Sequence, residues 1–211
     1  MSKTLPFILL IFVVAIIAWS GIAPFDRLTW WLEVAPALMG LVALAVTWRR
    51  FRLTDLALTL IALHMILLAV GGHYTYALVP LGEWMREVFG FARNHYDRIG
   101  HFAQGFVPAI VGREILLRNR VVKSRGWLAF LVVCICMAIS AVYELVEWTA
   151  ALTSAEASSA FLGTQGDPWD TQEDMAMAGV GALCAVFLFS RWHDRQIARM
   201  TPDASYSTTT R

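Results

Sequence analysis

The sequence predicts an all-α fold, a polytopic membrane helical bundle of about six transmembrane helices plus a short interfacial helix. Three observations carry this expectation. The 211-residue chain is 58% hydrophobic and 16% charged, with a mean hydropathy of +0.58, too apolar for a soluble domain of ordinary composition. Six apolar stretches approach the roughly 20 residues a helix needs to cross a hydrocarbon core about 30 Å thick. The cations alternate as well: Lys3, then Arg49, Arg50 and Arg52, then Arg113 to Arg125, then Arg191 to Arg211 fall in every second connection. Of the 17 Lys and Arg, only Arg27, Arg86, Arg93 and Arg98 fall in the others. The positive-inside rule therefore places both termini in the cytoplasm. A net charge of +1 built from such anchors gives no reason to expect nucleic acid.

Each element follows from this pattern. The first span, roughly residues 5 to 22, has the layout of a signal peptide, but Trp19-Ser20-Gly21 is a poor small-residue cleavage site, so an uncleaved helix is expected. The second covers roughly 31 to 48. The third covers roughly 54 to 71, where Thr54-Asp55 reads as an inner-end cap and His64, near mid-span, needs a partner such as Ser140. The long connection from Gly72 to Asp97 contains Trp84, Met85, Val88 and Phe89 on one helical face, with Glu83, Arg86 and Glu87 opposite. That pattern suits a helix lying in the interface.

The fourth span runs roughly from 98 to 117, the fifth from 127 to 150 and the sixth from 174 to 190. In the sixth, Ala178, Gly181 or Ala182, and Ala185 set small side chains about one turn apart, which allows a neighbouring backbone to approach closely. Cys134, Cys136 and Cys184 all lie inside spans and form neither a disulfide framework nor a redox motif. Residues 1–199 read as a single transmembrane domain. The Ser/Thr-rich segment 200–211 lacks apolar periodicity and reads as a disordered cytoplasmic tail.

The polar residues converge at one depth. The segment Phe161 to Asp174, FLGTQGDPWDTQED, sets Asp167, Asp170, Glu173 and Asp174 directly before an apolar run, where unpaired charge is costly. At 1.5 Å per residue from Trp127, Glu144 lies roughly 26 Å and Glu147 roughly 30 Å up the fifth span, at its outer edge and on one face. Asp97, His101 and Gln104 follow one another by single turns at the outer end of the fourth. His73 and Tyr74 top the third, and Glu33 in the second either joins the cluster or pairs with Arg27. Asp97 after Asn94, and Glu173 after Asp170, also have capping-box spacing. Glu144 has no cation within helical reach, so it needs a partner from another helix, an ion or a proton.

These motifs carry a resemblance. Asp97-Arg98-Ile99-Gly100-His101-Phe102, Tyr143-Glu144-Leu145-Val146-Glu147-Trp148, Gly163 through Asp174 and Gly71 through Tyr76 closely resemble the YjdF family of bacterial inner-membrane proteins. The resemblance runs from about Gly21 to Arg195. It implies an inner (cytoplasmic) membrane location and no particular activity. More loosely, acidic-x-x-x-His-Phe, then Glu, then Asp before a small-residue helix is similar to VanZ-like proteins of the cell envelope. Those commonly carry an arginine near the last acidic group, and Gly-Asp-Pro-Trp-Asp has none.

Three functions compete on these residues. The first is an enzyme at the outer leaflet: His101, Glu144 and Asp170 act as acid and base, or His101, Glu144, Asp170 and Asp174 hold a divalent Mg, Mn or Zn ion. Asp97, Gln104, Glu147, Asp167, Glu173, Asp174, His73 and Tyr74 would then support them. The substrate would be a lipid or an envelope precursor. The second is an ion- or proton-coupled transporter or flippase, against which the confinement of the polar groups to one leaflet counts. The third is a structural or assembly protein whose polar cluster locks the helices together. No residue specifies an oligomeric state.

Overall fold

A computed structural model describes residues 2–153 and 165–200, and among these the chain is helical without a strand. The helices are α1 (Leu5–Ser20), α2 (Arg27–Thr47), α3 (Asp55–Tyr74), α4 (Pro80–Phe89), α5 (Tyr96–Arg118), α6 (Arg125–Thr153), α7 (Asp170–Cys184) and α8 (Ser190–Met200). A 3-10 turn, Tyr76–Leu78, precedes α4, and a π-helical stretch, Ala185–Phe189, joins α7 to α8. The disordered tail expected after Arg199, apart from Met200, lies outside the described residues, as do Phe161 to Thr164 of the acidic segment.

Four helical stretches are long and apolar enough to cross a membrane: α2, α3, α6, and α7 with α8 as one run from Asp170 to Met200. The expectation of six spans needs α1 and α5 as well. α1 is apolar but has only 16 residues. α5 has 23 residues, roughly 34 Å at 1.5 Å each, but Asp97, Arg98, Arg113 and Glu114 dilute its hydropathy. The sixth stretch is longer than its apolar part, because an amphipathic turn-and-helix, which buries His193 and Ile197, continues it.

Two central helices organise the bundle. α3 packs on α1, α2 and α5, while α5 packs on α3, α6 and α7. The α5–α7 contact is the tightest, and small residues on both sides make it so. A Cβ on Gly105 would lie 1.8 Å from the Ala178 carbonyl oxygen, and one on Gly181 would lie 2.1 Å from the Phe102 carbonyl oxygen. The small face expected on the last span is therefore in use, with Ala178, Ala182 and Ala185 fully buried. Its counterpart, Gly105, had no visible signal in a helix whose neighbour was unknown.

The basic end of the bundle is closed by its own polar network. Glu114, fully buried, accepts hydrogen bonds from the Thr54 hydroxyl at 2.7 Å and Arg118 at 2.8 Å, and lies 3.0 Å from His193 Nε2. Arg113 pairs with Asp194 at 2.6 Å, and Leu56 N–H donates to Gln196 Oε1 at 3.0 Å. Thr54 is the side-chain cap of α3, accepting from Ala57 N–H. Asp55 instead takes a hydrogen bond from Ser2 N–H. α8 is thereby fastened across the ends of α3 and α5.

On α4, Trp84, Val88 and Phe89 are exposed, and Arg86 pairs with Glu83. The apolar face expected for an interfacial helix is thus outward and uncovered.

Candidate functional site

The opposite end of the bundle holds the acidic segment with His101 and Glu144, and the loops that lead into α5 and α7 position them. Asn94 is buried; its side-chain amide donates to the Val79 carbonyl at 3.0 Å and its Oδ1 accepts from Tyr96 N–H at 3.0 Å. Gln165 clasps the same backbone from the other loop, accepting from Asn94 N–H and donating to Asn94 O at 3.0 and 2.9 Å. This ties the start of α5 to the start of α7. The Tyr96 hydroxyl donates to the Leu67 carbonyl at 3.0 Å, fixing α5 on α3 as well.

Across that junction, two arginines meet the acidic segment. Arg98, 8% exposed, is hydrogen-bonded to Asp174, to Asp170 at 2.9 Å and to Glu173 at 2.7 Å. Arg93 bonds Asp170 at 2.6 Å and lies 3.3 Å from Asp167 and 3.7 Å from Glu173. A bidentate guanidinium suits this work because it presents a rigid fork of donors to several carboxylates at once. Neither anticipated capping box forms. Asp170 and Glu173 are directed to the arginines, α7 has Trp169 at its N-cap position without a side-chain cap bond, and α5 has His95 there, likewise without one.

His101 lies one turn deeper, 4% exposed, with acceptors at both ring nitrogens. Nδ1 is 3.1 Å from Gln104 Oε1 and 3.7 Å from Glu144 Oε1; Nε2 is 3.4 Å from Asp97 Oδ1 and 3.7 Å from Asp174 Oδ1. Glu144, 7% exposed, lies beside Thr171 of α7, and its buried Oε1 has no hydrogen-bond partner among the described residues. The partner from another helix that Glu144 required is therefore supplied by α5 and α7. Ligand atoms of Asp97, His101 and Asp174 all lie within 4.8 Å of one another, the spacing of a metal site. Asp174 is at the same time held by Arg98, and a dication there would face a guanidinium. Asp170 is not within ion-pair distance of His101; it belongs to the arginine clamp.

A groove of about 590 Å³ opens from this cluster. α2, α3 and α5 line it along its length and α6 joins them at the polar half through Ile139, Tyr143 and Glu147, so that it runs from Glu33, Tyr76, Asp97, His101, Tyr143 and Glu147 at the polar end to Thr47, Ile115 and Asn119 at the other. The Tyr143 hydroxyl donates to Glu33 at 3.0 Å, bridging α2 and α6. Glu33 therefore joins the cluster; Arg27 bonds the Gly21 carbonyl and lies over Trp30 instead.

Two placements differ from those expected. His73 and Tyr74 turn away from the cluster: His73 Nδ1 is 3.0 Å from the Ser20 carbonyl, and its ring lies against Trp19 and Tyr74. The chain turns at Thr75, with φ +60, so Tyr76 enters in their place. Its ring is held between Gly71 and Gly100, where an added Cβ would lie 2.4 and 2.9 Å away. His64 and Ser140 do not pair. His64 lines the groove, and the Ser140 hydroxyl is buried without a hydrogen-bond partner among the described residues.

The model of one family, described as "Predicted membrane protein (DUF2238)", matches residues 5–195. The chain belongs to that family. It is also 52% identical over 184 residues to "Inner membrane protein YjdF" of Escherichia coli (strain K12), covering 87% of this chain and 88% of the relative. No solved structure matches. Membership in DUF2238 makes the bundle a membrane protein, consistent with its apolar helices. It also gives the arginines of this family member their physical setting. A buried Arg98 needs partners, and its position directly after Asp97 was the available signal. The alternation of cations marks Arg93 and Arg98 only as exceptions on the far side, and Arg98 otherwise enters through the motif Asp97 to Phe102.

Proposed function

We propose that this protein is an inner-membrane enzyme performing acid/base chemistry on a lipid or envelope precursor at the extracytoplasmic face. The observation that carries this reading is His101, buried at the polar end of an apolar groove with an acceptor on each edge of its ring. A histidine so held can pass a proton between a bound substrate and the carboxylates on either side. Asp97 and His101 line the groove and are the groups placed to touch substrate. Gln104 orients the ring. Glu144 lies behind it with one uncommitted oxygen that can accept the proton. Asp170, Asp167, Glu173 and Asp174 bind Arg93 and Arg98 and thereby position α7 against His101.

Proton transfer is favoured over a Mg, Mn or Zn centre because Arg98 already neutralises Asp174, the third ligand such an ion would use. The orientation follows the positive-inside rule: the Glu114 end, rich in Arg and Lys, faces the cytoplasm, both termini lie there, and the His101 end faces out. The concentration of the His101 cluster at one end supports an enzyme over a transporter, whose coupling sites usually lie near the midplane.

The test is complementation under envelope stress in a strain lacking its own copy, run beside thermal melts. Glu144→Gln, Asp97→Asn and His101→Ala should fold with melting close to wild type and fail to complement. Wild-type complementation by all three would defeat the proposal and leave a structural cluster. Metal analysis of the purified protein separates the two chemistries: a stoichiometric divalent ion lost in Asp97→Asn would replace proton transfer with metal-assisted catalysis.

A further inference from the structure

We propose that the groove between α2 and α6 holds one acyl chain of a bilayer lipid whose headgroup carries a primary amine, seated against Glu33, Asp97 and Glu147. The inference rests on the reading of His101 as the acid/base centre and names the class of substrate presented to it.

Shape selects the occupant first. The 590 Å³ volume accommodates roughly twenty groups of water or methylene size at about 30 Å³ each, which is one long acyl chain. Along α2 the lining runs from Glu33 to Thr47, roughly 21 Å at 1.5 Å per residue, more than half the depth of a hydrocarbon core of about 30 Å. The outer faces of α2 and α6 are apolar and exposed at Val42, Val46, Val142 and Val146.

Charge selects the headgroup. Glu147 is 7% exposed, lines the groove and has no side-chain hydrogen bond among the described residues. Asp97 and Glu33 line the same end. A buried carboxylate without a donor is costly, and an ammonium supplies both a donor and a countercharge. Phosphate has no comparable seat, because Arg93 and Arg98 are bonded to Asp167, Asp170, Glu173 and Asp174 and neither lines the groove. The amine would be set beside His101, where the acid/base reading places proton transfer.

The experiment is native mass spectrometry of the full-length protein in detergent, offered equal amounts of phosphatidylethanolamine, phosphatidylcholine and phosphatidylglycerol with identical chains. The expected result is one retained phosphatidylethanolamine per protein, preferred by roughly tenfold over the others. Glu147→Gln should collapse that preference. Ala43→Trp, in the groove far from the cluster, should lower retention of every lipid, and Val111→Trp serves if that variant does not fold. Equal retention of the three lipids, preference for the glycerol headgroup, or a preference unchanged by Glu147→Gln would overturn the proposal. The complementation assay keeps the two readings apart. A phenotype that depends on His101 without lipid preference refutes only the groove. Amine preference with a phenotype indifferent to His101 refutes only the acid/base function.

Discussion

Arg98 is a single side chain on which most of the polar end depends. It is buried against three carboxylates of α7, and removing one partner from such a network leaves the others charged and uncompensated. Arg98→Met is expected to destabilise the fold by about 3–5 kcal/mol, read as a lowered melting temperature in detergent. Adding Asp174→Leu should recover part of that loss by removing the stranded charge. An unchanged melt in the single variant would show the clamp to be ornamental. A second residue-scale prediction concerns Asp26, at the same end but outside the spans. Its carboxylate accepts from Thr29 N–H at 2.7 Å, and that bond holds its pKa below the usual carboxylate value. A lowered folded-state pKa means the stabilisation is complete above the unfolded value of about 3.9 and is lost as pH falls through the folded value. Asp26→Ala should cost about 1 kcal/mol near neutral pH. The melting difference from wild type should close in acid, and a gap constant with pH would contradict the cap.

At the scale of elements, the α5–α7 contact decides how accurately the site is built. His101 and Asp174 face each other because Gly105 and Gly181 bring two backbones together. Gly105→Val inserts branched carbon where the Ala178 carbonyl lies and must spread the pair. The expected cost is about 1–3 kcal/mol, together with reduced complementation, although the variant alters no polar residue. Retained activity with a wild-type melt would mean that the close approach is dispensable. Two other elements explain why the cluster was only partly legible. The spacing of the fourth, fifth and sixth spans brought Asp97, His101, Glu144 and Asp174 to one depth, and depth is a local property of helices. The turn at Thr75 exchanged His73 and Tyr74 for Tyr76, because a single positive φ reverses what a loop presents.

At the scale of the molecule, topology is the first consequence to check. Reporter fusions after Arg52, Arg120 and Arg199 are expected to read cytoplasm, and a fusion near Pro80 the far side. A reversed reporter at any of these sites would remove the shared face on which the proposed chemistry stands. The two ends also differ in kind. The Glu114–His193–Arg118 network is satisfied by protein partners, whereas the His101 end keeps Glu144 Oε1 without a hydrogen-bond partner among the described residues and opens onto a groove. Substitution of Glu114 should therefore act on stability, while substitution of Glu147 should act on ligand retention.

Hydropathy, cation alternation and helical rise are properties of the chain read in order. They were enough to specify an all-α membrane bundle, the polar end and the depth of its acidic and histidine residues. Pairing is not such a property. Which carboxylates Arg93 and Arg98 neutralise, which way Tyr76 turns, and that α2 and α6 stand far enough apart to leave a groove all depend on contacts between residues distant in sequence. Burial makes those contacts decisive, because an intramembrane charge takes its role from whatever the tertiary fold sets beside it. Asp170 and Glu144 illustrate the difference: both are carboxylates at one depth, yet the fold binds one between two arginines and leaves the other an oxygen with no hydrogen-bond partner among the described residues.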